Sequence, residues 1–150
     1  FFWAPKNTAV APAPEVAKPL IEENIAFVVL ETGQNSQTLE RKNYAARDQE
    51  SFERVWKIAH GEDGAVMPSI DFSTRYVIGV FAGEKTSGGH AIAVTDIIDH
   101  GDVRTVRTRL QEPGEGCINS QALTSPYQLI TVPVSMHGLA SEDATTVTPC

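Results

Sequence analysis

Phe52, Val55, Trp56 and Ala59 recur at i, i+3, i+4 and i+7, and they form the one clear helical stripe in this chain. Its ends are marked. Asp48 stands at the N-cap position, Glu50 and Glu53 lie in or near the first turn, Lys57 and His60 fall in the last, and Gly61 supplies the stop. A helix with one apolar face buries it against another element, here a sheet. Trp56 belongs to the stripe and is expected in the core.

The remaining apolar content comes in short runs. Ile25 to Leu30 is continuous and rich in β-branched residues, which suits a strand covered on both faces. Gly33 to Ser36 reads as a turn, and Thr38 to Tyr44 alternates weakly around charged residues, as an edge strand would. Arg75 to Ala82 is the strongest strand. His90 to Ile98 follows it, and Gly83 to Gly89 between them is expected to close a hairpin. Asp99 to Asp102 is a second hairpin turn, and Val103 to Leu110 is a strand with Val106, Thr108 and Leu110 on one face. Pro113 to Gly116 reads as a loop and Tyr127 to Pro133 as the last strand. Short turns imply antiparallel pairing. The expected fold is α+β and mainly β: an antiparallel sheet or small sandwich-like domain with one amphipathic helix packed on it.

A chain of 150 residues suits one core, and residues 21–150 read as a single globular domain. Residues 1–20 read differently. Pro5, Pro12, Pro14 and Pro19, interleaved with Ala and Val, describe an extended tether. Phe1-Phe2-Trp3 ahead of it leaves two readings open: a few ordered aromatics, or the interfacial end of a membrane anchor lying upstream.

Cys117 and Cys150 are the only cysteines, with no CxxC and no histidine cluster beside them. The Ser, Thr, Glu and Asp-rich tail from Ser141 to Thr148 would fray unless tied down. A disulfide between the two would remove loop-closure entropy of roughly 3–4 kcal/mol in the chain-entropy model; two free thiols are the alternative. Tether and disulfide together point to an oxidising, extracytoplasmic compartment, periplasmic or cell-surface.

Charge and motif content narrow the function. A net charge of −7 argues against nucleic acid, and no stretch approaches the apolar length of a membrane span. No Walker loop, dinucleotide fingerprint or zinc motif is present, so neither a cofactor nor a metal is expected. His60 and His100 have local structural explanations at a helix end and a turn. Ser87, Ser125 and the cysteines sit in no nucleophile signature. Asp96 alternates with Val94 and Ile98, so its carboxylate can point inward, where an arginine partner is the commoner outcome.

Phe72 to Phe81, Ser87-Gly88-Gly89-His90-Ala91-Ile92, Pro113, Thr124-Ser125-Pro126-Tyr127 and Val132-Pro133 together resemble the PrcB C-terminal domain family. Its members show a Thr-Gly-Gly-Tyr-like hairpin, a strand pair and a Ser/Thr-Pro-Tyr lead into a last strand. The helix around Phe52 to Trp56, followed by Pro68, fits the same layout. One departure is visible: the family's hairpin Tyr is His90 here. The resemblance implies an exported bacterial domain, often carried on lipoproteins. The family is named for a component that a surface subtilisin-like protease complex requires for stability. It implies no catalytic residues.

The function expected is therefore a non-catalytic extracytoplasmic protein-binding domain that stabilises or regulates a partner protease in the cell envelope. Its membrane association is expected only through an upstream anchor. Candidate contact residues are Ser87, Gly88, Gly89 and His90 on a glycine loop, and Ser125, Pro126 and Tyr127 at the last strand, because loops on a rigid sheet and an exposed Tyr are frequent contacts; plain strand entry with Tyr127 packed on the core is the equal alternative for the last three. Arg107 and Arg109 share a strand face and could meet an acidic partner, although intrachain pairing is the plainer outcome. Two alternatives are a small extracytoplasmic hydrolase with a cleft at His90 or Asp96, and a purely structural envelope module.

Overall fold

The computed structural model describes residues 2–4 and 21–149. The expected tether falls mainly on residues 5–20, outside the described residues, as do Phe1 and Cys150. In chain order the elements are β1 (Phe2–Trp3), β2 (Glu22–Asn24), β3 (Val28–Gly33), β4 (Lys42–Ala46), α1 (Gln49–His60), β5 (Arg75–Phe81), β6 (Ala91–His100), β7 (Val103–Pro113), β8 (Tyr127–Pro133) and β9 (Gly138–Thr148). One sheet has the order β1-β4-β5-β8-β3 and the other β2-β6-β7-β9. The fold is mainly β with a single helix, as the sequence predicts.

The helix forms where its stripe and caps place it. Asp48 Oδ1 accepts from the Ser51 amide at 2.8 Å, and Gly61 closes the other end at φ 60° while donating to the Lys57 carbonyl. Phe52, Val55 and Ala59 are buried against Tyr44, Ala46, Val77, Phe81 and Leu129 of the first sheet. The alternate residues of that sheet, among them Tyr76, Ile78, Val80, Ile130 and Val132, pack against Ile92, Ile97 and Val106 of the second. Three layers result: helix, five-stranded sheet, four-stranded sheet. β5 and β8 lie in the middle layer, so their side chains are buried on both faces. That is why Arg75 to Ala82 reads as a nearly unbroken apolar run. Each fully buried Val, Ile or Phe there contributes about 1.5–3 kcal/mol.

Several sequence-based expectations are corrected. Ile25 to Leu30 is not a strand covered on both faces. The strand runs from Val28 to Gly33 at the edge of the first sheet, paired only with β8, and leaves Val28 and Val29 exposed. Here a continuous apolar run does not mean burial: none of Ile25 to Leu30 is fully buried. The expected edge strand is interior instead: β4 pairs with β5 on one side and with Phe2–Trp3 on the other. Phe2 and Trp3 are thus sheet residues, and Trp3 packs against the inter-sheet core.

The segment Gly83 to Gly89 is no hairpin, because β5 and β6 belong to different sheets and the segment crosses between them. The tail from Ser141 to Thr148 is strand, not a fraying end. β9 runs parallel to β7 from Val103↔Gly138 to Pro113↔Thr148, so pairing is not antiparallel throughout. Its polar composition hid it. Only Ser141 is fully buried, and its hydroxyl accepts a hydrogen bond from buried Asn43 Nδ2 at 2.9 Å. Arg41 clamps the same strand, bonding both oxygens of Asp143 at 2.9 Å.

Asp96 does not point inward. The β6–β7 register shifts between Val94 and Asp96, which turns Asp96 outward beside Arg107 and brings Asp99 inward. Buried Asp99 receives Arg104 Nε at 2.7 Å and Nη2 at 2.9 Å, while Arg104 Nη1 bonds the Pro133 carbonyl at 2.6 Å. This is a two-pronged arginine–carboxylate pair inside the sandwich.

Candidate functional site at the glycine-loop end

Three segments meet at one end of the sandwich: the crossing loop 83–90, the loop 114–124, and the end of β9. Lys85 and Thr124 exchange backbone hydrogen bonds at 2.7 and 3.0 Å, Thr124 Oγ1 donates to the Ser87 carbonyl at 2.9 Å, and Gly88 N–H donates to Ser120 O at 2.9 Å. Gly89 has φ 88° and lies so close to Asn119 that a Cβ there would sit 2.7 Å from Asn119 Oδ1. Only glycine fits, by both conformation and space. The two loops are therefore one surface. It carries Ile118 at 99% exposure and Leu123 at 60%, with Val147 of β9 at 61% nearby in the same end.

A recess of about 430 Å³ lies between Gly89, Gln111, Pro113, Ile118, Asn119 and Thr148. Beside it, sharing Gln111, a narrower cavity of about 160 Å³ opens among Arg41, Lys85, His90, Glu112 and Thr145. Burial, and then the charge of Lys85, push the His90 imidazole below its ordinary pKa; Glu112 opposes them.

The other sequence-derived candidates lie elsewhere. Ser125, Pro126 and Tyr127 are buried. Ser125 Oγ bonds the Thr38 carbonyl at 3.0 Å and Ser36 Oγ at 2.7 Å, and Tyr127 stacks on Phe81 at 5.7 Å with its hydroxyl on Glu31 Oε1 at 2.6 Å. The exposed tyrosine anchor is absent, and strand lead-in with a core tyrosine takes its place. Arg107 sits on the outer face of the second sheet and pairs with Glu142 at 3.2 Å. Arg109 shares that face between Ala93 and Ala144 and makes no ion pair among the described residues. Neither joins the glycine-loop surface through a hydrogen bond.

Two polar clusters were not foreseen in the sequence. In the first, His60 is held at both nitrogens, by Glu31 Oε1 at 2.6 Å and Asp63 Oδ2 at 2.7 Å, while Tyr127 shares the Glu31 oxygen. Burial works to lower the His60 pKa, but the hydrogen bonds and charges of Asp63 and Glu31 outweigh it and the net shift is upward. Burial and Glu31 also raise the Tyr127 hydroxyl. With both nitrogens engaged, this imidazole has no free position for a substrate. In the second, Ser135 Oγ and Asp99 Oδ2 both approach Nδ1 of His137, the latter at 3.7 Å. A hydroxyl–imidazole–carboxylate relay needs its two partners on opposite ring nitrogens, so these three do not assemble one.

Cys117 Sγ lies 4.0 Å from the Thr148 carbonyl, and the Gly114 amide donates to that carbonyl at 2.9 Å. No free cysteine occurs among the described residues; the expected partner, Cys150, lies outside them. Also among the described residues, no cluster of three or more His, Cys, Asp or Glu could hold a metal, and no helix is long and apolar enough to cross a membrane.

The surface built from the two loops falls within a segment that comparison with known families picks out. Residues 76–133 match the PrcB C-terminal family. The match agrees with the resemblance in the sequence and runs from β5 to β8, with both loops of the glycine-loop end inside it. The helix and β9 lie outside it. No curated protein and no solved structure matches the chain.

Proposed function

We propose that this chain is a non-catalytic, extracytoplasmic protein-binding domain that stabilises or regulates a protease of the cell envelope. It makes its contact through the glycine-loop end. The observation that carries the reading is the position of that surface. The loops 83–90 and 114–124 are cross-braced by backbone hydrogen bonds, carry Ile118 and Leu123 fully or largely exposed, and both fall inside the PrcB C-terminal match. A braced loop pair presenting isolated apolar side chains suits protein contact with little ordering cost on binding.

The extracytoplasmic location is supported by the approach of Cys117 to the end of β9, which places its sulfur near the last residues of the chain. The tether, Cys150 and an upstream anchor belong to the same reading. His90, Ser87, Gly88 and Gly89 remain its contact residues, whereas Tyr127 acts from within the core.

The test is capture from the native cell envelope with the domain and with its Ile118→Asp variant. The expected result is a protease recovered by the first and lost by the second, with that protease shorter-lived in cells lacking the domain. Recovery of nothing above background by the unaltered domain overturns the reading.

A further inference from the structure

The narrow cavity beside the glycine loop has a specific chemistry. Its walls come from the segment before β4 (Arg41), the crossing loop (Lys85, His90), β7 (Gln111, Glu112) and β9 (Thr145). At about 160 Å³ it holds about five waters' worth of space, well short of the volume a small-molecule ligand occupies. It is the size of a single side chain. The charged groups facing His90 are Lys85, Glu112 and Arg41. Arg41 is neutralised by Asp143, and Lys85 makes no ion pair among the described residues. Lys85 and Glu112 act on the ring in opposite senses, Lys85 against its protonation and Glu112 for it. His90 Nδ1 is buried and has no hydrogen-bond partner within the protein.

We propose that this cavity receives an aspartate or glutamate side chain of the bound partner, its carboxylate set between the Lys85 ammonium and the His90 imidazole. The inference rests on the protein-binding reading and adds the chemistry of the residue that docks. A carboxylate pairs with Lys85 and accepts a hydrogen bond from Nε2, the ring nitrogen that is not sealed from solvent. It also favours protonated His90, so docking is coupled to proton uptake and strengthens as pH falls toward the free ring's pKa, which lies below its ordinary value. A lysine or arginine side chain would meet Lys85 and be repelled.

The test follows the His90 ring by NMR in the isotopically labelled full chain. The probes are the capped tripeptides acetyl-Gly-Glu-Gly-amide, acetyl-Gly-Gln-Gly-amide and acetyl-Gly-Lys-Gly-amide, each at about 50 mM, enough to populate a millimolar site. At matched ionic strength the Glu peptide should raise the His90 midpoint by about half a unit or more, and the other two should not. In Lys85→Met, which removes the charge and keeps an unbranched side chain, the Glu-dependent shift should vanish. An unmoved midpoint with the Glu peptide, an equal shift with the Gln peptide, or a full shift in Lys85→Met overturns the proposal. Failure here with successful protease capture leaves the binding reading intact and removes only the carboxylate pocket.

Discussion

Asp99 and Arg104 face each other directly across the β6–β7 hairpin and are joined by two hydrogen bonds, of 2.7 and 2.9 Å, inside the sandwich. The pair is buried, and Arg104 spends its third nitrogen on the Pro133 carbonyl of the facing sheet. It therefore links the two sheets as well as two strands. Removing one member leaves the other as an uncompensated buried charge, which costs about 3–5 kcal/mol. Asp99→Ala and Arg104→Ala should each lower the unfolding free energy by that much. Asp99→Leu combined with Arg104→Met should lose far less than the sum of the two single losses, as measured by urea unfolding of all the variants.

His60 predicts a pH dependence of stability. Its folded-state pKa lies above the unfolded value of 6.5, because Asp63 and Glu31 favour the imidazolium against the effect of burial. The group's contribution is fully present below pH 6.5 and is lost as pH rises through the raised folded-state value. Stability should therefore decline over that window, and His60→Gln should flatten the decline while leaving the rest of the pH profile in place. Thermal unfolding from pH 5.5 to pH 8.5 reads it directly. A variant with the same slope as the parent would show that the slope comes from other groups.

Gly79 of β5 lies on the face of the first sheet that packs against the helix. A Cβ there would lie 2.8 Å from Phe81 Cε1, 3.0 Å from Leu129 Cδ2 and 3.3 Å from Val55 Cγ1. These are core atoms with nowhere to retreat. Gly79→Ala should destabilise by about 1–3 kcal/mol through overpacking. Gly79→Ala combined with Leu129→Val should recover part of the loss in the same unfolding measurement.

A disulfide between Cys117 and Cys150, as the proposed reading has it, is tested by a thiol titration. Unreduced protein should yield no reactive thiol and reduced protein both Cys117 and Cys150. Reduction should cost at most about 3–4 kcal/mol by the chain-entropy estimate. Because β9 is already held by its β7 ladder and by Arg41 on Asp143, the reduced protein should stay folded, with amide exchange rising only near Gly114 and Thr148. Loss of the whole fold on reduction would mean that the bridge, not the ladder, holds β9.

The legible parts of this fold were those written in local sequence. Asp48, the Phe52–Val55–Ala59 stripe and Gly61 act within one helix and do what their spacing predicts, whereas Trp56, expected in the core, is only partly buried at its margin, where its Nε1 donates to the Ala65 carbonyl. Arg75 to Phe81 and Tyr127 to Pro133 read as strands because both of their faces are buried and their residues are correspondingly apolar. The glycine loop was legible as a special backbone site, since positive φ at Gly89 and close approach to Asn119 allow nothing else. Tyr127 was misplaced for a physical reason. A tyrosine after Ser-Pro looks exposed in sequence, but its hydroxyl finds Glu31 from a strand almost a whole domain away in sequence, and that partner allows its burial.

The sequence by itself determined where the helix lies, how many turns it covers, the need for a sheet beneath it, and the course of the apolar strands β5 to β8. It did so because periodicity, capping and turn chemistry are decided by residues a few positions apart. Only the tertiary structure decided that β5 and β6 part into different sheets, that Phe2–Trp3 closes the first sheet, and that the polar tail becomes β9. The same holds for the charges. A single register shift after Val94 turned Asp96 outward and Asp99 inward to Arg104. Strand pairing joins residues far apart in the chain, and one extra residue in a ladder exchanges its two faces, so no local pattern can fix which charge is buried.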